Sequence, residues 1–121
     1  MKQNEDLSSY AFSHDRCAVC HYRKYRPGRR MELHHIQGRR GENPHDHRNL
    51  VMLCNECHTL FHSGSRKKSL ALGAILVAKE HEDGEVDEAY LAGLRRRKAF
   101  PDLDRTIPDW AEEERAANRD Q

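Results

Sequence analysis

Two stretches of the chain decide the fold: residues 31–36 read MELHHI, and residues 49–62 read NLVMLCNECHTLFH. We expect a first strand over residues 30–36 and a second over the apolar run 50–53. From Asn55 to about Ser63 the chain reads as a short helix, with Leu60 and Phe61 available to pack inward. The sequence therefore predicts an α+β fold with a small strand–strand–helix core, followed by C-terminal helices.

Four cysteines flank the two predicted strands as two C-x-x-C pairs, Cys17/Cys20 and Cys54/Cys57. Two such pairs complete the tetrahedral set of four thiolates that is typical of structural zinc. The alternatives are four unrelated free thiols or a thioredoxin-like redox motif, and no βαβ pattern supports the latter. The N-terminal residues MKQNEDLSSY contain no apolar signal-peptide core. We therefore expect a reducing cytoplasm, where paired cysteines bind metal more often than they form disulfides.

The composition favours a metal-stabilised protein with an anionic partner. Only 36% of the 121 residues are apolar and 34% are charged, so the apolar core is small and a metal can substitute for it. Residues 21–50 carry eight Lys/Arg against three Asp/Glu, whereas residues 81–121 carry seven against twelve. Basic density beside a metal site indicates a phosphate-bearing partner. No apolar run approaches membrane-spanning length.

Histidines concentrate in the same core. His58 and His62 lie four apart on the predicted helix, so both imidazoles fall on one face and can bind one metal. His34 and His35 are adjacent on a strand, so their side chains point to opposite faces and cannot easily share one role. One can bind the ion, while the other, neutral near pH 7, is suited to activating water as a general base. An ordinary strand or surface histidine is the alternative at each position.

The chain divides into four segments on its composition. They are a loose N-terminal arm (1–13), a zinc-stapled core (14–65), a helical extension (66–98) and a charged C-terminal tail (99–121). Within the extension, residues 66–81 are apolar around most of the helix circumference, and Asp87 is an N-cap for a helix running to about Lys98. The last residues, 109–120, are a frayed helix or disorder.

The run ELHHI, followed by NLVMLCNECH and a further histidine four residues on, resembles the HNH endonuclease family. The core of that family is a β-hairpin followed by a helix around one divalent ion. The subgroup with two C-x-x-C pairs flanking the hairpin is the most similar. This resemblance covers about residues 17–62 and implies a ββα-metal core.

The resemblance implies a role for each matching residue. His35 is similar to the family's general base, and His34 stands where the family places a metal-binding Asp or His. Asn49 matches the asparagine that steadies the loop and orients the base. His58 matches the final histidine, and His62 matches the second metal histidine of the colicin-type members. The implied catalytic set is His35, Asn49 and His58, and the implied ligands of the catalytic metal are His34, His58 and His62.

The implied reaction is one-metal hydrolysis of DNA phosphodiester bonds, giving 5′-phosphate and 3′-hydroxyl ends. Besides a structural Zn²⁺, it requires one catalytic divalent cation. Imidazole ligands tolerate Zn²⁺, Ni²⁺, Co²⁺ or Mn²⁺, whereas Mg²⁺ prefers oxygens from substrate and water, and the choice stays open. Arg39, Arg40 and Arg48 are candidate nucleic-acid contacts, with an exposed basic loop as the alternative.

Two other functions stay open. One is a non-catalytic zinc module that binds DNA or protein, with the histidines forming a second structural site. The other is an accessory protein whose acidic C-terminal tail docks on a larger DNA-processing machine. As a small free-standing chain with this resemblance, the protein is similar to HNH proteins of phages and mobile elements. Some of those proteins work beside a packaging terminase. We expect double-stranded DNA as partner, no membrane, and a cytoplasmic setting in a bacterium or a phage-infected host. The oligomeric state is not predicted.

Overall fold

The computed structural model describes residues 2–39, 44–64, 68–94 and 104–119, with side chains from residue 7 onward. Two strands, β1 (Met31–His35) and β2 (Leu50–Cys54), form an antiparallel sheet, and a single 3-10 turn (His47–Asn49) precedes β2. Across these residues, no helix combines the length and the apolar character that crossing a membrane requires. The helices are α1 (Lys2–Ser13), α2 (Asn55–Ser63), α3 (Leu72–Asp83), α4 (Glu88–Leu94) and α5 (Asp109–Asn118).

The predicted strand–strand–helix core is confirmed, and the fold is α+β. The register of the sheet places His34 opposite Val51 and His35 opposite Leu50. Helix α2 follows β2 directly. Two hydrogen bonds tie its start to the hairpin, because the Asn55 amide donates to the Arg30 carbonyl (2.9 Å) and the Arg30 amide donates to Asn55 Oδ1 (3.0 Å).

Strand β2 lies at the centre of the core, and all five of its residues are buried. Its Val51 and Leu53 side chains join the main apolar cluster, which also contains residues of α3, α4 and α5. Leu50 and Met52 point to the opposite face and pack with Tyr10 of α1 in a smaller cluster. This alternation uses both faces of one strand, so the hairpin is fixed between the N-terminal helix and the C-terminal helices.

The expected loose arm, residues 1–13, instead contains the packed helix α1. Tyr10 is 5% exposed, and its hydroxyl donates to Asp83 of α3 (2.9 Å). Its ring stacks on the imidazole of His14, whose Nε2 lies 2.6 Å from Asp83 Oδ1. These contacts of Tyr10 and His14 with Asp83 hold the polar helix α1 against α3, and composition alone does not predict them.

Helix α3 begins at Leu72 rather than at residue 66, and the non-helical chain before it buries Leu70 in the main core. Lys79 of this helix is 2% exposed and donates to the Leu50 carbonyl (2.6 Å), the His47 carbonyl (2.9 Å) and Asp83 (2.6 Å). A buried ammonium is stable only when it is paired in this way. Lys79 thereby holds the start of β2 and the turn before it.

Helix α4 starts as predicted, because Asp87 accepts a hydrogen bond from the Tyr90 amide (3.0 Å) at its N-terminus. The expected continuation to about Lys98 falls on residues 95–103, which lie outside the described residues, as do residues 40–43 and 65–67. The division of the chain into four segments stays a prediction.

The polar C-terminal end forms α5 rather than a frayed or disordered tail, and this helix docks on the first cysteine pair. Arg115 is 9% exposed and donates to the carbonyls of Ala18 (2.9 Å) and Val19 (2.6 Å). Asn118 donates to the carbonyl of Cys20 (3.0 Å). Buried carbonyls in a tight turn need such partners, so α5 completes the turn that carries the first two sulfurs.

Candidate metal centres

The four cysteines converge in the interior of the protein. Their sulfurs all lie within 4.8 Å of one another, and each residue is at most 1% exposed. All four are free thiols, and the sulfurs of Cys20 and Cys54 are 3.7 Å apart. Zn–S bonds of about 2.3 Å in a tetrahedron give S–S edges of about 3.8 Å. Donor type, number and spacing therefore fit a potential structural zinc site.

Local backbone geometry shapes both cysteine pairs. After Cys20 the chain turns back at His21, which has a positive φ of 64° and donates its amide to the Cys17 carbonyl (2.9 Å). Positive φ is uncommon outside glycine, and here it closes the turn that brings the two sulfurs together. In the second pair, Cys54 precedes α2 and its sulfur accepts the Cys57 amide (3.4 Å), so the same residue caps the helix.

Arg29 lies against the cysteine cluster, a role that the sequence does not predict. Its guanidinium donates to the sulfurs of Cys20 (3.4 Å) and Cys54 (3.7 Å). It also contacts Glu114 of α5 (3.0 Å) and Glu56 (2.5 Å). Four thiolates around Zn²⁺ carry a net negative charge, which this half-buried cation partly compensates. Residues 21–30 contain five Lys/Arg, and nothing in that run shows which one turns inward.

The three predicted histidine ligands form a second cluster between β1 and α2. One ring nitrogen from each of His34, His58 and His62 lies within 4.8 Å of the others. His34 Nδ1 and His58 Nε2 are 3.3 Å apart, as expected for a tetrahedral edge with metal–nitrogen bonds of about 2.0–2.1 Å. His34 is 5% exposed, whereas His58 is half-buried and His62 is exposed. The cluster is therefore open on the His62 side.

Protonation states in this cluster suit metal binding. Burial, together with the neighbouring His58 and His62, lowers the pKa of His34 to about 4, so its ring is neutral at pH 7. His58 Nδ1 donates to Glu32 Oε1 (2.9 Å), and this hydrogen bond is the largest influence that lowers the pKa of Glu32. In a neutral His58 ring, this bond places the proton on Nδ1 and leaves the lone pair of Nε2 directed at the cluster.

Glu32 has no role in the prediction from sequence, yet a signal for it exists. It stands two residues before His34, so strand alternation places both side chains on one face. Metal-binding histidines commonly donate their second N–H to a carboxylate. An acidic residue at that position could therefore have been assigned as the partner of a ligand.

His35 does not join the cluster, and its imidazole instead contacts His45. The two rings are joined by a 2.8 Å contact between His35 Nε2 and His45 Nδ1. Burial, followed by His45 and Arg39, lowers the pKa of His35, which keeps the ring neutral at pH 7. His45 is half-buried, because it packs on His35.

Asn49 is fully buried and fastens the loop that follows β1. Its Oδ1 accepts the Gln37 amide (2.9 Å), while its Nδ2 donates to the carbonyls of Gly38 (3.1 Å) and Pro44 (2.8 Å). The side chain thus joins the chain just after β1 to the chain just before His45. This is the geometry that its predicted role in orienting the base requires, and the role itself stays a prediction.

The arginines named as nucleic-acid contacts differ in their surroundings. Arg39 is exposed and close enough to His35 to act on its pKa. The Arg48 guanidinium binds Asp46 (3.0 Å) and Asp87 (3.2 Å) and lies 3.7 Å from the centroid of the Tyr90 ring. Arg48 therefore has partners within the protein, which weakens the case for a phosphate contact. Arg40 lies outside the described residues.

Arg30 is better placed than Arg48 to contact a phosphate, and it was not among the arginines predicted from the sequence. Its side chain is 77% exposed and lies 3.2 Å from Glu32, the carboxylate that holds His58. A solvent-exposed guanidinium at the edge of the histidine cluster is suited to contact a phosphate.

A comparison with known protein families found a match to the segment that contains both clusters. Residues 17–64 match the family model described as HNH endonuclease. That segment contains both cysteine pairs, β1, β2 and α2. Searches of curated proteins and of solved structures gave no match.

Proposed function

From this HNH-family segment, we propose that the protein is a metal-dependent endonuclease that hydrolyses phosphodiester bonds of double-stranded DNA. The observation that carries the proposal is the convergence of three imidazole nitrogens within 4.8 Å, inside the matched segment. The next residue along β1 is His35, a neutral imidazole that does not belong to that cluster. The strand–strand–helix core thus carries both a candidate metal site and a candidate base.

A divalent ion on His34, His58 and His62 would stabilise the charge that develops on the phosphate and the leaving 3′-oxygen. His35 takes a proton from water, whose oxygen attacks phosphorus as the bond to the 3′-oxygen breaks. Asn49 fixes the loop beside His35, and Arg30 and Arg39 contact neighbouring phosphates. Glu32 orients His58.

The open side of the histidine cluster favours the nuclease over a non-catalytic zinc module. A structural zinc site is closed, as the buried cysteine cluster is, whereas a catalytic site keeps a position for water or substrate. His62 is exposed, and the exposed Arg30 pairs with Glu32, the carboxylate that holds His58, so a phosphate has access to this side of the cluster. The free thiols and the metal-binding pattern suit the cytoplasm, where we propose that the protein acts.

Docking of the acidic C-terminal end on a partner protein is a separate proposal. Part of that end is already engaged, since Glu114 pairs with Arg29 (3.0 Å) and Lys68 (3.4 Å). Glu112 and Glu113 are exposed on α5 and are the groups that such a partner would contact.

The test is a plasmid-cleavage assay with a panel of divalent metals. Wild-type protein should convert supercoiled DNA to nicked or linear forms with at least one metal. His35→Ala should lose cleavage by about 10²–10⁴-fold while binding DNA and metal normally. His47→Ala is the matched control, since that side chain is 67% exposed and lies outside the cluster. Equal cleavage by wild type and His35→Ala would reject the proposal.

A further inference from the structure

His45 lies between β1 and β2 and contacts the base of the proposed reaction. Its Nδ1 is 2.8 Å from His35 Nε2, and the two rings are tilted by 66° with centroids 4.9 Å apart. This distance is that of a well-formed hydrogen bond. Among the described residues, no hydrogen bond reaches the other ring nitrogen of His35, Nδ1.

Only one direction of this bond leaves His35 able to act as a base. A neutral imidazole carries one N–H and one lone pair, so one ring must donate and the other accept. If His45 donates, the lone pair of His35 is used in the bond and its Nδ1 carries the proton. If His35 donates through Nε2–H, its lone pair is on Nδ1 and can accept a proton from water.

We propose that His45 is a positioning residue that holds His35 in the Nε2–H tautomer with Nδ1 facing the attacking water. The inference rests on the proposed function, since it needs His35 to be the base. A hydrogen bond to one nitrogen of a histidine determines which nitrogen is protonated. In this arrangement both rings carry their proton on Nε2, the more stable tautomer of a free histidine side chain.

The scaffold around the pair keeps the two rings together. Asn49 donates to the carbonyl of Pro44, the residue before His45, and accepts the amide of Gln37, two residues after His35. The Asn49 carbonyl also accepts the Ile36 amide (2.9 Å). Since Asn49 is completely buried, these bonds fix both ends of the loop and with them the spacing of the two imidazoles.

The tautomer is measured on the full chain, loaded with zinc, by two-bond ¹H–¹⁵N correlation spectra at neutral pH. His35 should show an unprotonated Nδ1 and a protonated Nε2, and His45 should show the same pattern. In His45→Ala, the signals of His35 should move to the average of the two tautomers. A proton on His35 Nδ1 in the wild type, or the same His35 pattern in His45→Ala, would overturn the inference.

Kinetics give a second and independent test. His45→Ala should lower kcat by about 10–100-fold with little change in KM, the range for losing an outer partner of a site residue. His45→Asn should recover most of the rate, because its amide oxygen lies near the position of Nδ1 and accepts the same hydrogen bond. Zinc content and circular dichroism check the fold, and His47→Ala is again the control. Full activity in His45→Ala, or no recovery in His45→Asn, contradicts the role.

Failure of the inference and failure of the proposed function give different results. A protein in which His35→Ala is inactive while His45→Ala keeps full activity remains a nuclease, and only the positioning role is lost. A protein in which His35→Ala cuts as well as wild type is not the proposed nuclease, and the role of His45 is rejected with it.

Discussion

The cysteine cluster and the histidine cluster are formed by neighbouring stretches of the chain, and they differ in how far they are exposed to solvent. Every cysteine is at most 1% exposed, and the cluster is covered by Arg29 and by α5. The histidine cluster runs from buried His34 to exposed His62. The hairpin and α2 therefore contribute residues to one closed cluster and one open cluster. Closed sites are typical of structural zinc, and open sites are typical of catalytic metals.

We expect the dependence between the two clusters to run in one direction. Cys54 caps helix α2, Cys57 lies in its first turn, and His58 and His62 are on the same helix. Loss of the cysteine site should therefore remove the anchor of this helix and the histidine site with it. Loss of metal from the histidine site should leave the apolar core in place.

The largest effect is expected for Cys54→Ser. The variant should lose zinc and cooperative unfolding, because structural zinc supplies about 10–16 kcal/mol in small zinc domains and domains are stable by only about 5–15 kcal/mol. His62→Ala should keep both. Zinc content and far-UV circular dichroism melts measure this. If Cys54→Ser melts like the wild type, the cysteine site does not stabilise the fold.

A chelator should remove metal from the two sites of the wild-type protein at different times. A brief exposure to EDTA should empty the exposed histidine site first, while helix content stays constant, because the cysteine site is sealed from solvent. Prolonged exposure should then release the second ion and unfold the chain. Metal analysis and circular dichroism are followed together. Simultaneous loss of both ions would mean that the sites are not distinct in accessibility.

Part of the fold and part of both clusters can be predicted from the sequence. The hairpin and α2 follow from short-range patterns: an apolar run, histidines at i and i+4, and cysteine pairs with fixed spacing. These patterns located β1, β2 and α2 to within two residues at their ends. They also predicted the four cysteines and the His58–His62 pair that the structure brings together, whereas the choice of His34 over His35 came from the resemblance to the HNH family.

Features that depend on distant contacts could not be predicted in the same way. Helices α1 and α5 are polar in sequence and are held by single side chains such as Tyr10 and Arg115, which bond to residues more than 70 positions away. The contact between His35 and His45 depends on the path of a Gly- and Pro-containing loop. Arg29 is selected from a run of similar cations by tertiary packing alone.

Glu32→Gln should affect the open site and leave the closed one unchanged. The neutral amide binds His58 Nδ1 less strongly than a carboxylate does, so the affinity of the histidine site for a divalent metal should fall about 10–100-fold. Zinc in the cysteine site and the melting temperature should stay as in the wild type. Calorimetric titration of zinc into protein emptied at the histidine site measures this. Glu113→Gln, an exposed change on α5, is the control, and equal affinity in the two variants would remove the role of Glu32.

The smallest effect is expected at the closed site, for Arg29→Met. This change removes a cation from two sulfurs and leaves Glu56 and Glu114 without their partner, so negative charge accumulates around the thiolates. Hydrogen bonds to charged groups contribute about 1.5–3 kcal/mol, and partial solvent access reduces this to about 1 kcal/mol, or roughly fivefold in the rate of zinc release. A chromogenic zinc chelator follows the rate directly. Arg23→Met is the control, because Arg23 is 39% exposed and reaches Asp15 only at 3.8 Å. Equal release from the two variants would mean that burial alone closes the cysteine site, whereas faster release from Arg29→Met would show that charge compensation contributes as well.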